Sequence, residues 1–429
     1  MYARTRASAD SFVLMRDQIR DWGYALGPVT GLPLTGTQST AGGYALGPIY
    51  YWILWLSRVL VGPWTNNLPH AGAIGISLLQ TGADLALLRA LQKKSGSFWL
   101  ALATVLFGAT ISHDLAISST IWNPAVSVAF VKLSIALVLL KGDQRSTWWL
   151  VVTTVCAWFS VQAHSAALFF AAPVLGFFVV RDLRANQFAA AWQTTRTVLE
   201  VILILELPFI VHAMTPSPSP GPNLVGDSVA RTLSNPASLR VGPSLSVLLG
   251  TTSHLLLTPY AIGWGPWLFA LCVIVAAVRM RRDAALLFTT ILPLAVAVGG
   301  FAVWQRNYDE YWFLPFVPSA AIIVAWALTS IRPREMSLAL LVIVLALQPG
   351  RLRHSLTWYR MPEYRALSRG AREIRRQTAE VRRIDTSFPL PGLSSATFLY
   401  EVLGGRLSPT AAFDATIDRE GHAQFVAVK

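Results

Sequence analysis

The chain has 429 residues, of which 54% are apolar and only 13% charged, and its mean hydropathy is +0.49. Soluble domains carry roughly a quarter charged residues, so an ordinary soluble fold is excluded, and repeated apolar runs of bilayer length identify a polytopic membrane protein. The net charge of +13 does not indicate nucleic-acid binding, because the basic residues sit at the ends of apolar runs and in the C-terminal tail.

Residues 1–70 open with Asp10, Asp17 and Asp21 and pass through a Gly/Pro/Thr-rich stretch, Gly27 to Pro48, that predicts irregular backbone. The segment 48–62, PIYYWILWLSRVLVG, is short, contains Arg58 and is rich in Tyr and Trp, which favour the headgroup region. It predicts an interfacial helix rather than a span. Ten spans follow, at about 71–92, 97–112, 122–140, 147–163, 164–180, 195–213, 264–279, 284–304, 313–330 and 336–348. With no alternating strand pattern, helices are what can satisfy the backbone in lipid. The loop 214–263 begins with PSPSPGP and ends in a half-apolar stretch around Leu245 to Leu257. After Pro349 the chain turns soluble in character, with an Arg-rich helical pattern over 363–384 and possible strands in 396–428. That helix is open to two readings, resting on anionic lipid or simply solvated. Three regions result: an outer first loop, 1–70; a transmembrane domain, 71–348; and a tail, 349–429.

Alternate short loops differ sharply in charge. One set carries thirteen Lys and Arg, among them Lys93, Lys94, Arg181, Arg184, Arg281 and Arg282; the other carries only Arg231, Arg240 and Arg306. The positive-inside rule places the first set in the cytoplasm and the second outside, together with residues 1–70 and the tail. An external N-terminus without a signal peptide leads us to expect a further transmembrane helix ahead of residue 1. The two cysteines, Cys156 and Cys272, lie inside apolar runs and supply neither a disulfide framework nor a cysteine-based metal site.

Ionisable groups in or beside spans are costly and point to function. Those at the outer side are Asp10, His113, Asp114, His164, Glu206, His212, His254, Arg306, Asp309 and Glu310, whereas Asp84, Lys132 and Glu200 lie deeper and read as packed or paired groups. His164, between two spans, either lines a cavity or bonds locally. The run Trp304 to Trp312 reads as an interfacial aromatic belt or as a phosphate clamp with Arg306 as bidentate donor. His113-Asp114 could supply half of a metal site, but no H-x-x-x-H or comparable set of partners accompanies it, which weighs against a metal.

Asp10 followed by GPVTGLPLTGTQSTAGGYALGPIYYWILW is similar to the first outer loop of bacterial family 39 glycosyltransferases, which are polyprenyl-phosphate-dependent enzymes of the GT-C fold class related to protein mannosyltransferases and aminoarabinose transferases. Trp122-Asn-Pro124, Gln162-Ala-His164 and YWFLPFVP from Tyr311 to Pro318 continue the resemblance in order, over roughly residues 8–330. It implies an all-α GT-C-like bundle of about ten transmembrane helices with a small soluble tail. It also implies transfer of a sugar from a polyprenyl-phosphate donor to a lipid or polysaccharide acceptor, with inversion, at the extracytoplasmic face of the bacterial inner membrane. Asp10 then becomes the general base, Arg306 the phosphate ligand with Arg231 or Arg240 next, and Asp114, His164, Asp309 and Tyr311 contacts for sugar or acceptor. Three departures stand out: Ser11 where an acidic pair is usual, no Arg-x-Asp motif near 118–124, and Glu310-Tyr311 in place of His-Tyr. The resemblance therefore names no cofactor and leaves a divalent metal open. The competing readings are a transporter or flippase of a lipid-linked sugar, which calls for midplane charges, and an inactive assembly protein of the same fold.

Overall fold

The computed structural model describes residue 5 and residues 11–37, 47–215, 224–235, 239–260, 263–304, 309–328, 333–357, 360–388 and 394–428. Asp10 and Arg306 lie outside the described residues.

The first loop forms α1 (Arg16–Leu26), a 3-10 turn at Val29–Gly31 and α2 (Ile49–Thr65), whose left-handed C-cap Asn66 turns the chain into the bundle. Eight helices follow: α3 (His70–Ser95), α4 (Phe98–Ala109), α5 (Ser112–Ser118), α6 (Asn123–Lys141), α7 (Thr147–Ala163), α8 (Leu168–Arg184), α9 (Phe188–Met214) and α10 (Leu224–Ser234). Then come α11 (Val241–Leu257), α12 (Gly265–Met280), α13 (Ala284–Thr289), α14 (Ile291–Trp304), α15 (Val317–Leu328) and α16 (Pro333–Thr357). Six continuous helical stretches, and a seventh if α4 and α5 count as one, are long and apolar enough to cross a membrane. The predicted spans at 147–163 and 264–279 are helices of 17 and 16 residues, and the last one is part of the 25-residue α16.

Lipid contact is written on the outside of this bundle. Along α9, Leu199, Leu203, Ile204, Leu207 and Val211 are all at least half exposed, and Trp267, Leu271, Ile274 and Val278 on α12 are too. Apolar stripes of this extent are unfavourable in water and expected against acyl chains, so the chain is an integral membrane protein. Inside, α6 is buried along most of its length and carries Lys132 at its centre. The ammonium answers Asp84 of α3 at 2.8 Å, Gln80 at 2.8 Å and Asp114 of α5 at 3.6 Å. Three helices are thus held by one cation, as the sequence reading of Asp84 and Lys132 as paired groups expected. Glu200, by contrast, makes a surface pair with Arg196 at 2.7 Å.

Three segments differ from expectation. The span at 97–112 does not continue straight: Thr110 bonds back to Leu106 O, Ile111 is extended, and α5 leaves α4 at 65°. The half-apolar stretch near 245–257 is the 17-residue helix α11. Its start meets Ala302 O through Arg240 N (3.4 Å) and its end brings His254 to Glu310 (3.7 Å), so both ends belong to the same end of the bundle. The predicted helix over 363–384 stops at Gln377. It is α17 (Tyr364–Gln377), followed by β1 (Glu380–Val381), β2 (Ile384–Thr386), α18 (Ser394–Val402), β3 (Arg406–Leu407), β4 (Phe413–Ile417) and β5 (Ala423–Ala427). Strands β2, β4 and β5 form one sheet, with β4 central, parallel to β2 and antiparallel to β5. The apolar face of α17, Leu367, Ala371 and Ile374, is fully buried. With that face consumed by the tail's own core, the lipid-resting reading of this helix does not hold.

The tail seats on the bundle through backbone polar groups. Met361 N donates to Ser11 O (3.3 Å), Ser395 Oγ to Leu14 O (3.0 Å), and Tyr364 shares a 3.0 Å hydrogen bond with His70 at the start of α3. In the first loop, Asp21 of α1 is 3% exposed and accepts from Arg20 Nε (2.8 Å) and Tyr51 OH (3.3 Å). Burial pushes its carboxyl from 3.8 up to about 6, against the opposing pull of Arg20.

Two outcomes are expected. Lys132→Met leaves Asp84 and Asp114 without their shared cation, and should cost about 3–5 kcal/mol of stability, read as a lowered thermal unfolding midpoint in detergent; an unchanged midpoint would remove the network from the stability account. Folded Asp21 keeps its proton to higher pH than unfolded Asp21, so its contribution to stability falls as pH rises from about 4 to about 6 and is level above. The Asp21→Asn variant should lack up to about 3 kcal/mol of that fall, seen as a flatter midpoint-against-pH curve than wild type.

Candidate functional site at the loop-bearing end

The bend after α4 decides the local chemistry. By folding α5 across the bundle it presents His113 on one side and turns Asp114 inward to Lys132, where Asp114 is 1% exposed. His113 Nε2 lies 3.0 Å from Glu310 Oε2, and His254, at the end of α11, faces the other oxygen, Oε1, at 3.7 Å. His354, from α16, has its ring 6.5 Å from that of His113. Three histidines and a glutamate from four distant segments therefore meet at the surface. His113-Asp114 has no partners in local sequence, but folding brings side chains of metal-ligating type beside it, and among the described residues His254 and Glu310 are the two nearest to His113, without the ligand atoms of the three closing to within 4.8 Å of one another. Among the described residues, one trio has its ligand atoms mutually within 4.8 Å: Asp418, Glu420 and His422, in the turn between β4 and β5. There Asp418 Oδ1 is occupied as a turn cap, accepting from the backbone N of Glu420 (3.0 Å) and His422 (2.8 Å).

Next to this cluster stands an aromatic knot. The 3-10 turn Glu310–Phe316 sets Tyr311 edge-on to His164 with ring centres 5.8 Å apart, and against Trp122 at 5.3 Å. Tyr311 OH donates to Asp309 Oδ2 at 3.0 Å. The predicted contacts His164, Asp309 and Tyr311 are thus brought together, while Asp114 is drawn into the interior pair. His164 is 7% exposed, and its Nδ1 has no partner among the described residues.

Behind His164, Gln162 and Trp158 both donate to Glu206 Oε1, at 3.0 and 2.6 Å, while Oε2 is buried with no partner among the described residues. Gln162 is also where the first loop returns to the bundle. Gly47, at φ +68, packs so closely that a Cβ would stand 2.1 Å from the Gln162 amide carbon. A side chain at 47 is excluded by space and by backbone conformation alike.

The first-loop segment after Asp10 is the third component. Phe12, Val13 and Leu14 are buried, and Thr120 Oγ1 donates to Val13 O (3.1 Å) just beyond α5. Arg360 enters the same neighbourhood from the tail: Nε donates to Ser355 O (2.7 Å) and Nη1 bonds Ser119 Oγ. Burial pulls this guanidinium down to about 10. Arg351, fully buried, gives Nη1 to Phe107 O (2.9 Å) and Nη2 to Leu256 O, with its guanidinium 4.7 Å from the Phe107 ring centre. By comparison Arg231 and Arg240, named from sequence as phosphate ligands, are both exposed. Arg351 and Arg360 went unnoticed in the sequence, because nothing in the region around them marks which arginines of a basic tail turn inward.

No family model and no curated protein sequence matches the chain. Its likeness is to solved structures. ArnT from Cupriavidus metallidurans in the apo state superimposes with a TM-score of 0.60 over 95% of this chain and 83% of that one, at 11% identity. The same protein bound to undecaprenyl phosphate gives a TM-score of 0.56 over 93% and 83%, at 14% identity. At such identities shape carries the likeness, and what it establishes is that this chain has the GT-C fold of an aminoarabinose transferase.

Proposed function

We propose that the protein is a membrane glycosyltransferase that moves a sugar from a polyprenyl-phosphate donor to an acceptor at the extracytoplasmic face of the bacterial inner membrane. One observation supports this most. In a fold shared with a protein solved with undecaprenyl phosphate, the segment following Asp10, the α5 cluster and two tail arginines converge on one end of the bundle.

The chemistry suits such a place. The donor's lipid keeps its anomeric carbon near the membrane surface. The acceptor oxygen attacks that carbon as the bond to the phosphate oxygen breaks, with inversion. The acceptor's proton passes to Asp10, and polyprenyl phosphate leaves with the bonding electron pair and without needing a proton. Catalysis then asks for one positioned carboxylate and for cations where phosphate charge develops. Arg306 is the first choice for that charge, Arg231 and Arg240 follow, and Arg360 joins them on its position beside Ser119. His164, Asp309 and Tyr311 present a ring face and polar atoms to sugar or acceptor, while Asp114, held by Lys132, serves by setting α5. A lipid or polysaccharide acceptor is expected. Should a divalent cation bind, His113, His254 and Glu310 would hold it and it would add positive charge beside the phosphate.

The test is transfer of radiolabelled sugar from a polyprenyl-phosphate donor in membranes. Asp10→Asn should abolish transfer with expression and undecaprenyl-phosphate binding intact; turnover within about tenfold of wild type, only about 1.4 kcal/mol in the barrier, would remove Asp10 as base. Arg306→Ala should weaken donor binding by about tenfold or more, and an unchanged affinity would discard the clamp. No transfer by wild type from any polyprenyl-phosphate donor would favour the transporter or assembly readings.

A further inference from the structure

The opposite end of the bundle holds a concavity. There the last turn of α3, the turn after α6, the last turn of α8 and the turn between α12 and α13 enclose a cavity of about 360 Å³, within the range of small-ligand pockets. Its charged walls are Lys94, Arg181, Arg184 and Arg282 against two carboxylates, Asp143 and Asp283.

These groups divide into two kinds. Lys94 Nζ bridges to Asp283 Oδ2 at 2.7 Å, and Asp283 Oδ1 caps α13 by accepting from Leu286 N at 3.2 Å. Arg181 gives Nη1 to Gly142 O (2.7 Å) and Nε to Asp182 (2.9 Å). Those contacts brace the walls. Arg184 and Arg282, from segments about a hundred residues apart, line the same cavity and make no ion pair or hydrogen bond among the described residues. The remaining lining is apolar, with Phe177 and Val180 on α8 and Ala284 and Ala285 on α13. Topology alone explains basic residues in these turns, but it does not require two unpaired guanidinium groups to share one hollow with an apolar wall.

From this we infer that the pocket binds a phosphate group, supplied by an anionic glycerophospholipid. Two guanidinium forks suit the phosphate oxygens. Apolar residues beside them, at the level where α8 leaves the bilayer, suit the start of an acyl chain. Basic pockets between helices at this face are known to take such headgroups. The inference stands apart from the glycosyltransferase reading, since it uses none of the same residues.

The experiment uses the full chain in neutral detergent, with native mass spectrometry and the thermal unfolding midpoint as readouts. Phosphatidylglycerol, phosphatidylcholine and inorganic phosphate are titrated in turn. Phosphatidylglycerol should bind and raise the midpoint, phosphatidylcholine should do so far less, and the Arg184→Gln/Arg282→Gln double variant should bind phosphatidylglycerol about tenfold more weakly or worse. Arg196→Gln, a surface residue outside the pocket, should behave as wild type, and the two single variants give intermediate loss if the double variant is not recovered. Protection by inorganic phosphate equal to that by phosphatidylglycerol would support the phosphate site but assign it to the free anion. Wild-type affinity in the double variant, or equal binding of phosphatidylcholine, would overturn the proposal.

Discussion

A charge inside a bilayer has to be answered by the protein itself, and the arrangement of this molecule follows from how it meets that demand. Lys132 is the clearest case. An ammonium at the centre of a buried helix is tolerable because Asp84, Gln80 and Asp114 come to it from two neighbouring elements. Asp114 can do so because α4 breaks and α5 swings across. The same swing places His113 beside Glu310. One electrostatic requirement in the interior therefore has a geometric result at the surface, where α5 is held in place from beneath by its own carboxylate.

Polar groups are sorted along the bundle's length. At one end aromatic rings, histidines and two enclosed arginines form a thick, irregular layer with the tail laid over it. At the other, short turns carry arginine and lysine. The transporter alternative looked for charge at the midplane. The charge of Lys132 is neutralised within the interior, and two of the buried polar atoms without a partner among the described residues, Glu206 Oε2 and His164 Nδ1, lie toward the layered end.

Much of the framework was legible because lipid imposes a length and an apolar composition on each span; each of the ten predicted stretches holds helix among the described residues, with 97–112 interrupted at Thr110 and Ile111. Pairing across helices was less so. Asp84 and Lys132 were each readable as packed or paired groups since both sit in apolar runs, but not as each other's partner, and the third member, Asp114, depended on a 65° bend that hydropathy cannot register. His164, Asp309 and Tyr311 were each singled out near span ends, and their contact with one another is what tertiary placement adds. His254 and His354 were not linked to His113, because contact between α5, α11 and α16 is a matter of tertiary placement. The tail misled for a simpler reason: an amphipathic helix looks alike whether its apolar side meets lipid or a small sheet, and here the sheet takes it.

Phe12, Val13 and Leu14 lie close to the beginning of the chain, yet their backbone oxygens and neighbours are held by Thr120, Met361 and Ser395, the last some 381 positions away from Leu14. Such a seam cannot close during synthesis until residues 361–395 have been made. Until they arrive, residues 11–14 lack two of the three partners that hold them, so this part of the first loop is latched late although it is made early.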